Sequence, residues 1–197
     1  MKQFGDVQKR AEKNFLHMVK RFGMRLTKQN TFCYESSYAE KNSKWSFAFL
    51  PNKKLFSLLY KLQVSYTFQS VLNMYLGEPL TWDFRRKSWK AKHHHCQILQ
   101  YLNCQSELRD LMKQVDFEQV QIMQKGNEIT IKMTPFPGAY IFMLVPSIQY
   151  FIHLRDDEIK TILKIGKSLE EAFGKLSADR KKKCIIVSQS GASDSAS

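Results

Sequence analysis

The sequence has little of what marks a specialised class of protein. Its 197 residues include 4 cysteines, 5 prolines and 8 glycines, against 43% hydrophobic and 13% aromatic residues. So little proline and glycine excludes collagen-like and low-complexity chains, and the hydrophobic content excludes a wholly disordered one. A chain of this length and composition is expected to form one domain with a sizeable core.

Cysteine is scarce and irregularly placed, at Cys33, Cys96, Cys104 and Cys184. Residues 1–28 are amphipathic and charged throughout, which is unlike the apolar core of a signal peptide. We therefore expect reduced thiols and a cytoplasmic location, and not a disulfide framework.

Long uninterrupted hydrophobic runs are also missing. The longest stretch without a charged residue, Met133–Leu154, contains three prolines that divide it into apolar runs at 139–145 and 148–154. Each run has the length of a buried strand, so the sequence predicts no integral membrane span.

Catalytic and metal-binding motifs are absent as well. The chain has no GxSxG, GxxxxGK[ST], GxGxxG or HExxH pattern. His93–Cys96 and Cys104 are metal-ligand types, but adjacent residues point in different directions, so we predict no metal site and no cofactor. His153 with Asp156 or Asp157 could form an acid–base pair, although these aspartates are more typical of a helix cap. No catalytic residue is predicted, and the sequence leaves open whether the protein is an enzyme.

Hydrophobic periodicity gives an order of elements. It predicts helices at 5–24, 53–62, 66–76 and 95–115, strands at 31–37, 44–50 and 80–89, a hairpin around Gly126-Asn127, strands at 139–145 and 148–153, and a helix from Asp156 to 176. This order predicts an α+β fold, in which an antiparallel sheet with a C-terminal meander is packed by several helices. We expect residues 1–176 to form a single α+β domain, or alternatively two subdomains that meet near 78–95. The serine-rich residues 177–197 are expected to be a disordered tail.

Acidic residues are few relative to basic ones: 18 Asp and Glu stand against 31 Lys and Arg, which gives a net charge of +13. The excess is +6 over residues 1–28 and +4 over residues 81–95, whereas residues 96–176 carry −1. Such asymmetry favours an anionic partner, although solvated lysines alone need none.

Two basic segments carry the candidate site. Residues 81–92 interleave cations with Trp82, Phe84 and Trp89, a combination with which cations contact phosphate while rings stack on bases. The predicted helix 5–24 adds a second basic face. The predicted binding residues are Arg85, Arg86, Lys87, Lys90, Lys92 and Trp89, with Lys9, Arg10 and Lys13 on the helix. The simpler alternative is that the aromatic residues belong to the core.

Three functions remain open at this point. The first is a small cytoplasmic binding protein whose basic first half contacts an acidic partner such as nucleic acid. The second is a binding protein or enzyme with an internal apolar pocket for a small, anionic or lipid-like ligand, with cations at the mouth of the pocket. The third is peripheral attachment of helix 5–24 to an anionic membrane.

Overall fold

The structure, a computed structural model, describes residues 2–38, 43–70, 76–92, 97–144, 146 and 148–190, and the side chains of those between 6 and 176. The helices in these ranges are α1 (Lys2–Lys20), α2 (Gln97–Cys104), α3 (Ser106–Met112) and α4 (Asp156–Ser190). The strands are β1 (Thr27–Asn30), β2 (Cys33–Tyr38), β3 (Ser43–Lys54), β4 (Ser57–Gln69), β5 (Leu80–Asp83), β6 (Ser88–Lys90), β7 (Phe117–Lys125), β8 (Glu128–Pro135), β9 (Tyr140–Met143) and β10 (Ile148–Phe151).

All of these strands belong to one antiparallel sheet, with the order β1-β2-β3-β4-β8-β7-β5-β6. Strand β4 is long enough to have two neighbours on one side. Its first residues, Ser57–Tyr60, pair with β9, and its later residues, Val64–Gln69, pair with β8. Strand β9 also pairs with β10. The α+β class and the antiparallel sheet are therefore confirmed, and the strands of the predicted meander form two hairpins that each join β4.

The predicted helix at 53–62, and the part of the predicted helix 66–76 that lies in the described residues, are wrong. Strand β4 alternates buried and half-buried positions, and its buried side chains are Tyr60, Leu62, Val64, Tyr66 and Phe68. This period of two is the signature of a strand, and the leucines around it happened to match helical spacing. Residues 71–75 lie outside the described residues.

Two further elements differ in their bounds. The predicted strand 80–89 is the β5–β6 hairpin, with a turn at residues 84–87. The predicted helix 95–115 is divided into α2 and α3, which meet at Gln105. Residues 93–96 lie outside the described residues.

Helix α1 packs its apolar stripe on one face of the sheet, as its periodicity predicts. Val7, Ala11, Phe15, Met18 and Val19 are buried. The Phe15 ring stacks on Phe49 of β3 at a centroid distance of 4.9 Å. At the end of the helix, Arg21 donates hydrogen bonds to the Leu154 carbonyl (2.6 Å) and the Asp156 carboxylate (2.7 Å). These bonds tie the chain after α1 to the beginning of α4.

Helix α4 covers the same face of the sheet farther along β3 and β4. Its first turn carries Asp156, Asp157 and Glu158, which favour the positive end of the helix. The Glu158 carboxylate also accepts a hydrogen bond from the Arg155 backbone N–H at 2.8 Å. Gly166 allows close approach, because a Cβ at this position would lie 2.5 Å from Cη2 of Trp45.

The backbone of α4 is helical as far as Ser190, within the range for which the sequence predicts a disordered tail. Residues 191–197 lie outside the described residues. Within the described part of the chain, none of the helices combines the length and apolar character that a membrane crossing requires.

Candidate functional site

One wall of the candidate site is the polar side of α1. Lys13 and Asn14 come three and four residues after Arg10, so both lie on the same side of the helix as Arg10. Arg10 and Lys13 are exposed, and Asn14 is half-buried. Lys9 is also exposed but lies about 100° around the helix from Arg10.

The opposite wall is the β9–β10 hairpin, which lies against α1. Tyr140 of β9 is the register partner of Phe151 of β10, so their side chains share one face of the hairpin. Gln149 is two residues before Phe151 and therefore faces the same way. Tyr140 is buried, Phe151 is half-buried, and Gln149 is exposed.

A hydrogen-bonded bridge joins the two walls. A guanidinium N–H of Arg10 donates to Oε1 of Gln149 at 2.7 Å, and the Tyr140 hydroxyl donates to the same oxygen at 3.3 Å. Beside this bridge lies an open groove of about 350 Å³, here called the α1 groove. Its lining residues are Arg10, Lys13, Asn14, Tyr140, Gln149, Tyr150 and Phe151.

The α1 groove is suited to an anion with an apolar part. Its volume lies near the lower end of the roughly 300–1,000 Å³ that small-molecule sites occupy. Of the described residues that line it, two are cations, three are aromatic and none is a carboxylate. Glu12 of α1 is paired with Lys28 at 2.8 Å, which keeps its charge on another side of the helix.

Burial and charge act in opposite directions on Tyr140. Burial raises the pKa of this phenol, and the positive charge of Arg10 partly offsets the rise by favouring the phenolate. The pKa of neighbouring Tyr60 is also raised, by burial first and then by Tyr140. At neutral pH the Tyr140 hydroxyl is therefore a neutral hydrogen-bond donor.

The second candidate region is the turn of the β5–β6 hairpin. Residues Phe84–Lys87, here called the basic turn, are all exposed. Asp83 fixes the turn, because its Oδ1 accepts backbone N–H bonds from Arg85 (3.0 Å) and Arg86 (3.1 Å). These bonds, and then the contact with Lys90, lower the pKa of Asp83. Three adjacent cations are therefore next to the Phe84 ring, which is 38% exposed.

Trp89, predicted to contact a partner, belongs to the core. It is 2% exposed and meets Trp82 edge to face at a centroid distance of 5.4 Å. The Asn103 amide binds its backbone from both sides, since it accepts from the Trp89 N–H at 2.7 Å and donates to the Trp89 carbonyl at 3.1 Å. In this position neither tryptophan ring can stack on a base. Lys90 and Lys92 are exposed.

The predicted cations fall into two separate groups. Helix α1 packs on β3 and lies against β9, whereas the basic turn belongs to β5 and β6 at the far side of the sheet. Four steps between neighbouring strands lead from β3 through β4, β8 and β7 to β5. At about 4.8 Å per step, β3 and β5 are roughly 19 Å apart across the sheet. A single continuous patch of all nine predicted residues is not formed.

The candidate acid–base pair is not assembled either. His153 is exposed and packs edge to face on Phe151 at 4.5 Å, whereas Asp156 binds Arg21 and Asp157 binds Arg155. Across the ranges that the structure describes, no group of three or more His, Cys, Asp or Glu residues could hold a metal ion. The His93–Cys96 cluster lies outside those ranges.

Sequence reasoning identified one wall of the α1 groove and missed the other. Arg10 and Lys13 could be recognised from helical spacing, but Gln149 is 139 residues away from Arg10 along the chain. No local pattern joins residues so distant, and Tyr140 and Phe151 were indistinguishable from other aromatic residues of an apolar strand.

The chain was compared with known families, curated proteins and solved structures. No curated protein and no solved structure matches it. The model of one family, described as a protein of unknown function, matches residues 20–173, which is more than half of the chain. The matched range includes the β9–β10 wall of the groove and begins after Lys13. The chain belongs to the DUF3156 family of proteins of unknown function.

Proposed function

We propose that the protein is a cytoplasmic binding protein for a small anionic ligand with an apolar or flat part, held in the α1 groove. The observation that carries this proposal is the lining of the groove, in which two cations face aromatic residues and no carboxylate is among the described lining residues. This proposal keeps the ligand class of the second function that the sequence left open, but it places the ligand in an open groove and not in the internal apolar pocket that the sequence suggested.

The cations on α1 suit the acidic part of such a ligand. A guanidinium has five N–H donors in a planar fork, and the bond from Arg10 to Gln149 uses one of them. The fork can bind a carboxylate, sulfonate or phosphate group through two parallel hydrogen bonds. Lys13, one turn further along the helix, adds a second positive charge on the same side.

The hairpin suits the remainder of the ligand. Phe151 is half-buried and Tyr150 is 60% exposed, so these two rings of β10 offer surface to a ligand. The Tyr140 ring is buried and packs beside Tyr60 at a centroid distance of 6.2 Å, so it supports the hairpin and presents its hydroxyl. Rings packed in this way contribute apolar area without much loss of conformational entropy. A ligand that lies across the hairpin therefore contacts rings while its acidic group reaches α1.

The test uses 8-anilinonaphthalene-1-sulfonate, a fluorescent aromatic anion, as the probe. Its neutral analogue N-phenyl-1-naphthylamine reports the contribution of the charge. We expect the double variant Arg10→Gln, Lys13→Gln to weaken sulfonate binding about tenfold, since a charge-assisted hydrogen bond contributes about 1.5–3 kcal/mol and exposure reduces this value. Binding of the neutral analogue should change little.

The matched control is Lys9→Gln with Lys20→Gln. It removes the same two charges from the same helix at exposed positions that do not line the groove. We expect this control to bind the sulfonate as the wild type does. If both double variants lost the same affinity for the sulfonate, the loss would be due to net charge alone, and the proposal would be wrong.

A second candidate function, binding of single-stranded nucleic acid, is favoured by the basic turn. Arg85, Arg86 and Lys87 are exposed beside the Phe84 ring, which could stack on one base. Because Trp82 and Trp89 are buried, only this ring of the hairpin remains for stacking.

The test is the affinity of nuclease-treated protein for a fluorescent single-stranded RNA at two salt concentrations. We expect Arg85→Glu with Arg86→Glu to weaken binding and to flatten its dependence on salt, because fewer counterions are released. Lys160→Glu with Lys164→Glu, at exposed positions of α4, makes the same change in charge and serves as the control. Unchanged affinity in the Arg85 and Arg86 variant would exclude this function for the basic turn.

A further inference from the structure

The longest hairpin of the sheet ends in an apolar apex. Lys54 of β3 is the register partner of Ser57 of β4, so the connection consists of two residues, Leu55 and Phe56. Two-residue hairpin turns favour Asn, Asp and Gly, because their backbone conformations suit small or polar residues. Here two large apolar residues occupy the turn, and they are 84% and 59% exposed. Such exposure of a turn against its usual composition indicates a functional surface.

The apex projects beyond the neighbouring strand on one side. Strand β2 pairs with β3 only as far as Ala48, whereas β3 continues to Lys54. Strand β3 therefore continues for six residues past Ala48, its last register partner in β2, which is about 20 Å at about 3.3 Å per residue. A projecting apolar turn can enter the interfacial region of a lipid bilayer. It does not form a groove that could receive a side chain of a partner protein.

A second turn lies beside the apex. The Leu144 N–H donates to the Phe56 carbonyl at 2.9 Å, which holds the end of β9 against the β3–β4 turn. Ile148, at the start of β10, is a further exposed apolar residue. Leu55, Phe56 and Ile148 are here called the apolar tip.

The charged residues that flank the turn along the chain are of one sign. Lys53 and Lys54 are exposed immediately before the turn, and the sequence has no Asp or Glu from Lys41 to Gly77. Lysines beside exposed apolar residues are typical of segments that bind at the surface of an anionic bilayer. The same lysines oppose contact between two copies of the tip, because like charges would meet.

We propose that the apolar tip inserts Leu55 and Phe56 into the interface of an anionic phospholipid bilayer, while Lys53 and Lys54 contact the headgroups. None of the residues of the apolar tip lines the α1 groove, so the proposal does not depend on the ligand of the groove. It also differs from attachment through α1, whose apolar stripe is buried against the sheet.

The first test is co-sedimentation of the full chain with vesicles of phosphatidylcholine and phosphatidylserine, and with vesicles of phosphatidylcholine alone. We expect binding to the anionic vesicles, weakened at least tenfold by Leu55→Ser with Phe56→Ser and weakened by Lys53→Gln with Lys54→Gln. Phe136→Ser removes an equally exposed ring from the turn before β9 and should leave binding unchanged. No binding of the wild type, or wild-type binding by the Leu55 and Phe56 variant, would overturn the proposal.

A second measurement reports insertion directly. The three native tryptophans, Trp45, Trp82 and Trp89, are buried and should respond little to lipid. In the variant Phe56→Trp, the emission of the new ring should shift to the blue on anionic vesicles, and no shift would contradict insertion. A dimer abolished by Leu55→Ser with Phe56→Ser, in protein that does not bind vesicles, would identify the tip as a self-association surface and overturn the proposal. Loss of vesicle binding with sulfonate binding retained would separate this surface from the α1 groove.

Discussion

Replacing Gly166 with alanine tests how closely α4 packs on the sheet. The new Cβ would lie 2.5 Å from Cη2 of Trp45 and 3.1 Å from Cδ1 of Tyr66, well inside the optimum of about 3.5–4.0 Å between carbon atoms. Neither ring can move away easily. Trp45 is 1% exposed and stacks on Tyr66, whose hydroxyl is bonded to Glu170 of the same helix. The helix must therefore lift from the sheet by about 1 Å.

The magnitude follows from two opposing effects. Overpacking of a core costs about 1–3 kcal/mol, whereas alanine for glycine inside a helix contributes about 0.5–1 kcal/mol. Gly174→Ala is the matched control, because it lies in the same helix with no atom within 4 Å of its added Cβ. The free energy of unfolding of Gly166→Ala should be lower than that of Gly174→Ala by about 1–3 kcal/mol, because only Gly166→Ala overpacks the core. For a chain of this size, this difference corresponds to roughly 2–12 °C in Tm.

The assay is thermal unfolding of wild type and both variants, followed by circular dichroism under identical conditions. We expect Gly174→Ala to unfold at or slightly above the wild-type temperature and Gly166→Ala to unfold several degrees below Gly174→Ala. A Gly166→Ala variant as stable as Gly174→Ala would refute the close packing of α4 on Trp45.

Three further predictions concern local interactions. Asn103→Ala should lower the free energy of unfolding by about 1–3 kcal/mol in denaturant titration, because both backbone groups of Trp89 lose their partner; an unchanged midpoint would contradict this. The pKa of Asp83 is lowered in the folded protein, so the stabilisation of the basic turn by its carboxylate is complete above the ordinary aspartate pKa. This stabilisation is lost as the pH falls through the lower folded-state pKa. A pKa at or above the ordinary value, measured for this carboxyl by NMR titration, would contradict the hydrogen bonds of the turn. Exposed Cys104 should react with iodoacetamide before Cys33, whose thiol pKa is raised mainly by burial, and peptide mapping that finds Cys33 labelled first would argue against the packing of β2.

The elements that sequence predicts correctly are those with a strong local pattern. The stripe through Ala11, Phe15 and Met18 identifies α1, and the alternation on either side of Gly126-Asn127 identifies the β7–β8 hairpin. The acidic start of α4 at Asp156 was also predictable, since carboxylates favour the positive end of a helix.

The elements that sequence misses depend on contacts distant along the chain. Leu55 and Phe56 form a turn that lacks turn residues, so the turn and the first half of β4 matched the leucine spacing of a helix. The burial of Trp89 depends on Asn103 and Trp82, and the groove depends on a helix meeting a hairpin 139 residues away. A pattern of charges could indicate the basic turn and α1, but only the sheet order shows that they lie apart.

The measurement that tests the proposed function most directly is an NMR titration of the labelled wild-type chain with 8-anilinonaphthalene-1-sulfonate. Binding in the α1 groove predicts that amide signals of both walls shift together, those of residues 10–14 on α1 and those of residues 149–151 on β10. Shifts confined to residues 84–87, or to residues remote from both walls, would contradict the assignment of the groove as the ligand site.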